Sequence, residues 1–358
     1  MFLASKELKY SKTKFALIIA VVILISYLVY FLTSLAYGLA SSYTNAVNQW
    51  GADEVVITVD SNDNMMMSYM TENDFNNVTV NGNKEKLGLF PGVIINPKAD
   101  SSINTRVDVY FFGIEDNSFL KPISNLTLES NKVIVDEELQ KEGYNVGDTF
   151  VVKGTTSGID LEYEIIGFSK NTTYQTAPVV YMNLTSWQQY RYGSQNTPNL
   201  FSGIIIKGSS TSVANNLNKI LINDYINTLP GYTAQVLTFT TMIAFLIIIV
   251  AIVLGIFIYV LTIQKTSMFG VMKAQGISNA YIGSSVVVQT LLLVGIGIFV
   301  GLILTLISGF FLGDIIPFAT NILFYVVITL AFFIFAVFGA LFSVKAVLKI
   351  DPLKAIGG

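Results

Sequence analysis

Four long apolar runs, at residues 15–40, 237–263, 281–312 and 320–344, break an otherwise mixed chain. Each is long enough to cross a bilayer as a helix, for which about 20 apolar residues suffice. Residues 41–236, between the first two runs, have a different rhythm: short stretches rich in Val, Ile, Tyr and Phe, separated by Gly, Asn, Asp and Ser. That pattern predicts strands at 54–59, 92–96, 107–114, 132–135, 149–153, 161–168, 178–182 and 203–207. Helices are predicted at 136–142, 184–190 and 213–226, the last amphipathic. The domain reads as one body or two lobes, with 65–86 a polar, mobile insertion. The fold class is therefore an α-helical membrane protein with four transmembrane helices and a mixed α+β domain inserted between helices 1 and 2.

The shorter segments fall around these runs. Residues 1–14 carry Lys6, Lys9, Lys12 and Lys14 beside Phe2, Leu3 and Leu8, which predicts an interfacial helix. The run at 15–40 is too long for a signal peptide and lacks a small-residue cleavage site, so it is expected to stay as helix 1. Tyr30, Ser34, Tyr37 and Ser41 share one face of that helix. Such a stripe serves either as packing glue or as the wall of a path for an amphipathic substrate. Residues 264–280, QKTSMFGVMKAQGISNA, join the second and third runs. A short outer hairpin is expected at 313–319 and a basic tail at 345–358. Gly297-x-x-x-Gly301 and Gly309-x-x-x-Gly313 in the third run predict close helix approach.

Composition sharpens the picture. Hydrophobic residues make up 52% and charged residues only 13%, against roughly a quarter charged in an ordinary soluble domain. Residues 41–236 hold 12 Lys and Arg against 21 Asp and Glu; the other segments hold nine Lys against Glu7, Asp314 and Asp351. Basic flanks face the cytoplasm, so the termini and 264–280 are expected inside the plasma membrane and 41–236 outside. Cysteine and histidine are absent. That excludes disulfides, thiolate and His-bearing zinc sites, and Ser-His-Asp or Cys-His catalysis. No P-loop pattern occurs. No span has a charge at its centre, which argues against an ion-coupled carrier. An enzyme with its own active site is not expected, nor a metal site, a permanently bound cofactor or a nucleic-acid partner. The Met65-Met66-Met67 run with Met70 reads as packing, as a copper(I) site or as a surface to which substrate sticks.

The layout, with MFGVMKAQGISNAYI at 268–282 and VLKIDPLKAIGG at 347–358, resembles permeases of the MacB/FtsX superfamily of ABC transporters. The family's hydrophobic–Lys–Ala–x–Gly element is matched by Met272-Lys273-Ala274-Gln275-Gly276, and its Pro-containing tail by Pro352-Leu353-Lys354-Ala355. SNKVIVDEEL, GDTFVV and EYEIIGF are similar to the family's outer-domain core. The opening, MFLASKELKYSKTKFALI, and the second run look most like the HrtB-type, haem-expelling branch in Gram-positive bacteria. Many relatives carry an Arg/Glu pair before the Lys–Ala–x–Gly element; Lys265–Phe269 here do not.

The resemblance implies a type VII ABC transporter fold and a homodimer of the permease. It also implies a separate cytoplasmic ATPase subunit that binds ATP, and mechanotransmission in place of a pore. The ATPase would be met by Phe269 and Met272, with Lys273 and Gly276 shaping the coupling segment. An apolar loop residue can equally rest on the membrane. Haem as substrate would enter laterally, with Tyr30, Tyr37, Tyr174, Tyr232 and Met242 as candidate contacts, since Tyr and Met are among the ligands left without His and Cys. Tyrosine is also enriched at membrane interfaces whatever the function. Export of peptide antibiotics or lipids, and an FtsX-like relay to cell-wall hydrolases, are the alternatives.

Overall fold

The computed structural model describes residues 12–95, 106–193, 199–313 and 315–348. The expected interfacial helix at 1–14 falls outside these except for its last three residues. Asp314 of the hairpin and the tail from residue 349, with its 352–355 motif, also lie outside the described residues.

The first half of the chain runs through helix α1 (Lys12–Gln49), strand β1 (Glu54–Thr58), helix α2 (Glu72–Asn77), strands β2 (Thr79–Ile95), β3 (Arg106–Ile114) and β4 (Lys132–Asp136), and helix α3 (Glu138–Lys141). Strands β5 (Thr149–Lys153), β6 (Asp160–Ser169), β7 (Thr173–Tyr174) and β8 (Ala177–Asn183) follow, then helix α4 (Leu184–Tyr192) and strands β9 (Gly203–Ser212) and β10 (Leu217–Leu221). The chain continues through helices α5 (Ile222–Thr228), α6 (Tyr232–Ile263), α7 (Thr266–Ala274), α8 (Asn279–Leu312) and α9 (Ile322–Leu348). Two compact units result: Leu39–Gln235, and the remainder on either side of it.

In the flanking unit, Phe15–Gln49, Tyr232–Ile263, Asn279–Leu312 and Ile322–Lys345 are long and apolar enough to span a membrane. Lipid tails are as apolar as leucine, so helices there associate through close packing and hydrogen bonds. Gly297 and Gly301 of α8 provide the close packing. A Cβ at Gly297 would lie 2.4 Å from Val22 Cγ1, and one at Gly301 would lie 2.1 Å from Ser26 Oγ. Ser26 Oγ donates to the Gly297 carbonyl at 3.2 Å. The tyrosine–serine stripe of α1 faces α9. Tyr30 and Thr329 hydroxyls are 2.6 Å apart, Ser34 and Tyr325 hydroxyls are also hydrogen-bonded, and Tyr37 meets Phe324 edge-on at 5.6 Å. Of the two readings of this stripe, packing glue is the one these contacts support.

The 39–235 unit is built on one sheet of ten strands, ordered β10-β1-β9-β2-β3-β8-β4-β6-β5, with β7 on β8. It is a single body, not two lobes. β2 is the axis: its first half pairs with β9, its second half with β3, and its end, Ile95, with Val151 of β5. Successive residues point to opposite faces, so Phe111 enters one core with Phe150, Trp187 and Tyr190. Phe112 enters the other with Tyr174, Tyr181 and Tyr225. The end of α1 belongs to this second core through Ala46 and Val47, and Trp50 just beyond it joins them. The same end is fastened to the β7–β8 hairpin. Gln175 N donates to Tyr43 O at 3.0 Å and Thr176 N to Ser42 O at 3.2 Å; Asn45 Nδ2 donates to Thr173 Oγ1 at 3.0 Å.

Two expectations are corrected. Residues 213–226 are not one amphipathic helix: Leu217–Leu221 is a strand paired with β1, and only from Ile222 does the chain turn helical. Asn215-Asn216 favours a turn, and the vacant ladder of β1 decides the rest. Residues 65–86 are not a mobile insertion. Met65–Met67 is a 3-10 turn, α2 carries a Thr71–Asp74 capping box, and 79–86 is half of β2. Met65 and Met70 are buried, which places two of the four methionines in packing.

Trp50 is 2% exposed and its Nε1 has no partner, so its contribution is packing. Trp50→Ala is expected to destabilise the unit by about 3–5 kcal/mol. Trp187, the other of the two tryptophans, reports the unfolding midpoint by fluorescence. Val146→Ala at an exposed position should stay within about 0.5 kcal/mol of wild type.

Candidate functional site

α7 is a nine-residue helix between α6 and α8. It ends in a Schellman motif: Gly276 N donates to Lys273 O at 2.9 Å and Ile277 N to Met272 O at 3.0 Å. The motif requires a left-handed residue, and Gly276 supplies it at φ 85°. Lys273 lies in the last turn, where a cation complements the helix dipole. Two residues on, Ser278 Oγ accepts from Tyr281 N at 3.3 Å and starts α8.

This geometry fixes which face of α7 is open. Phe269 and Met272 are 3% and 8% exposed and form a small core with Ile282 and Val286 of α8, joined by Ile277 and Val344. In this structure the two residues expected to reach a partner are therefore turned inward. The apolar spacing left the direction of this side open, because an apolar side can close on its own chain as well as on another; here it closes on its own chain. Met268 and Val271 are open at 36% and 44%, with Ser267, Ala274 and Gln275 exposed beside them. At i, i+1, i+4 and i+7 to i+8 they form one face.

Lys265 precedes α7 and ties it to its neighbours. Its Nζ donates to Gln289 Oε1 of α8 at 2.9 Å and lies 5.2 Å from the Phe15 ring of α1. Sequence reasoning marked Lys265 as a cytoplasmic charge and as part of the departure from the relatives' Arg/Glu pair, without a partner. Gln289, a lone amide in an apolar run, was the available signal for its partner.

The candidate substrate contacts divide between the units. Tyr30 is fully buried with its hydroxyl on Thr329. Tyr37 is half-buried against Phe324, and Met242 is half-buried in the same unit. In the other unit Tyr232 is half-buried beside Tyr43, ring centres 6.0 Å apart. Tyr174 is 1% exposed, its hydroxyl 2.8 Å from that of Tyr225. Burial pushes the Tyr174 hydroxyl pKa well up, so it remains a neutral core phenol. Tyr37, Tyr232 and Met242 thus keep accessible surface, while Tyr30 and Tyr174 are packed away. Among the described residues no group of three or more His, Cys, Asp or Glu side chains could hold a metal ion.

The architecture is that of a multi-pass membrane protein with one large extracellular domain, and its family likeness lies in the membrane part. Residues 240–352 match the family described as FtsX-like permease C-terminal. Over its whole length the chain is 26% identical to a protein named "Putative hemin transport system permease protein HrtB" from Staphylococcus epidermidis, covering 100% of this chain and 99% of that one. The protein of the same name from Staphylococcus haemolyticus is 27% identical with the same coverage. Among solved structures, the periplasmic region of MacB from Actinobacillus actinomycetemcomitans aligns with TM-score 0.34 and 12% identity, over 50% of this chain and 94% of that one.

The inward face of α7 gives a direct test. Phe269→Ala should destabilise the membrane unit by about 3 kcal/mol or more and lower the thermal midpoint of the purified chain. Val271→Ser, on the open face, should leave that midpoint unchanged.

Proposed function

We propose that this chain is the permease subunit of an ATP-driven efflux transporter that exports haem from the membrane. A separate cytoplasmic ATPase subunit binds and hydrolyses ATP, and the permease works as a homodimer. The observation that carries the reading is α7: a short helix anchored by Phe269 and Met272 on one side and presenting Met268 and Val271 on the other, inside the stretch that matches the FtsX-like permease family. The open face docks the ATPase. Lys265 and the buried pair pass displacement of α7 to α8, because a packed core moves as a unit and does not deform continuously.

The substrate half of the reading rests on the full-length relatives named for hemin transport. Haem is a flat apolar ring with two propionates, and it partitions into bilayers, which suits lateral entry. Tyr37, Tyr232 and Met242 are the candidates for contact, being the members of the sequence-derived set that retain exposure.

ATP turnover by the permease–ATPase complex reconstituted in lipid tests both halves. Haemin is expected to raise turnover several-fold, and replacing Tyr37, Tyr232 and Met242 together by Phe, Phe and Leu to abolish that rise without changing basal turnover. Val271→Asp is expected to prevent co-purification of the ATPase, since a carboxylate on the apolar docking face is desolvated without a partner. Turnover indifferent to haemin would overturn the haem reading; an ATPase that still binds Val271→Asp with wild-type affinity would overturn the docking face.

A further inference from the structure

The 39–235 unit carries an open groove of about 650 Å³, within the range that encloses a drug-sized ligand. It lies where β2, β3 and β8 run side by side, next to the β7–β8 turn. Pro91, Val93 and Pro178 give it apolar walls, Tyr110 a half-buried aromatic face, and Gln175 and Asp108 its polar ends. Val93 remains 41% exposed in spite of its neighbours.

The rim is held in place. Gln175 and Thr176 form the two-residue turn between β7 and β8, both with positive φ, 48° and 70°. Such a turn favours Asn-Gly, and Thr, being branched at Cβ, adopts it only under constraint. The constraint is visible: both backbone N–H groups donate to carbonyls of α1, and Gln175 Oε1 accepts from the Tyr110 hydroxyl at 3.0 Å. Strained backbone of this kind clusters at ligand-binding positions.

The groove's charge selects its occupant. Asp108 is the one ionisable acid or base in the lining besides the neutral phenol of Tyr110. It is exposed and engages no described residue in an ion pair or hydrogen bond, Arg106 on the same face included. The Tyr110 hydroxyl is spent on Gln175, which leaves its ring face. A free carboxylate beside an aromatic face and apolar walls is the donor set for an organic cation, and the surplus of acidic residues over 41–236 raises the local concentration of cations. We propose that this groove binds a small amphiphilic cation, an ammonium head on an apolar body, with Asp108 and Tyr110 holding the head and Pro91, Val93 and Pro178 the body. An anionic ligand would meet the Asp108 carboxylate with no Lys or Arg in the lining to offset it, so the site is separate from any haem route and stands or falls independently of it.

Benzyltrimethylammonium is a water-soluble probe with this shape, and benzoate is its anionic counterpart. Saturation-transfer NMR on the full-length chain in lipid nanodiscs should show saturable binding of the first and none of the second. Asp108→Asn should weaken the ammonium about three- to fivefold, the range for an exposed charge contact, and Asp108→Lys should abolish binding. Both changes are at an exposed position and should leave the thermal midpoint unmoved. Ala177→Trp, which fills the groove without touching its charge, should also abolish binding. Equal binding of benzoate, or wild-type affinity in Asp108→Lys or Ala177→Trp, would overturn the proposal.

Discussion

A hydroxyl or amide inside hydrocarbon has no water to turn to, and the membrane unit is arranged around that fact. Ser26 Oγ reaches the Gly297 carbonyl of α8. Tyr27 finds Ser308 at 3.0 Å, Tyr30 finds Thr329 and Ser34 finds Tyr325. Thr33, Thr262, Thr305 and Ser343 return their hydroxyls to carbonyls four residues back in their own helices. Each interhelical pair fixes a rotation of one helix against another, which van der Waals contact between Leu and Ile side chains leaves loose. Gly297 leaves room for Val22 and Gly301 for Ser26, so the two backbones can approach closely enough for the Ser26 hydrogen bond to the Gly297 carbonyl.

The same constraint explains what the sequence shows of the fold and what it hides. Four spans, their order and the side on which 41–236 lies are legible because length, apolarity and lysine placement act locally. Strands such as β3, β5 and β6 are legible for the same reason: their alternation and bounding turns lie within a few residues. Leu217–Leu221 was not, because its state is set by β1, some 160 positions earlier. Nor was the order of residues 65–86, whose strand half depends on β9. Local pattern specifies an element when the element carries its own partner; it fails when the partner is far along the chain.

At the candidate site the split is similar. Lys273 and Gly276 could be picked out because a C-terminal glycine in the left-handed region is a local device. The direction of Phe269 and Met272 could not, since the apolar spacing is satisfied equally by a partner's groove and by Ile282 and Val286. The structure's choice changes the chemistry at the cytoplasmic surface. A Phe in a partner groove is a hot spot lost on dissociation; a Phe buried in its own chain keeps α7 seated whether or not a partner is present. The open face then carries Met268 and Val271 beside Ser267, Ala274 and Gln275.

Helix α1 shows how far such reasoning reaches. It contributes Val22, Val29 and Tyr30 to one core and Ala46 and Val47 to another. Lys12–Gln49 contains no proline and a single glycine, Gly38. A glycine in mid-helix is about 1 kcal/mol worse than alanine and would ordinarily be read as a hinge. Here a Cβ at position 38 would lie 2.0 Å from the carbonyl oxygen of Pro317, and Ala319 N donates to the Ser34 carbonyl one turn away. Gly38 is therefore demanded by the close approach of the α8–α9 connection, not by a need to bend. The residue that looks like the weak point of the longest helix is a point where another segment packs closely against it.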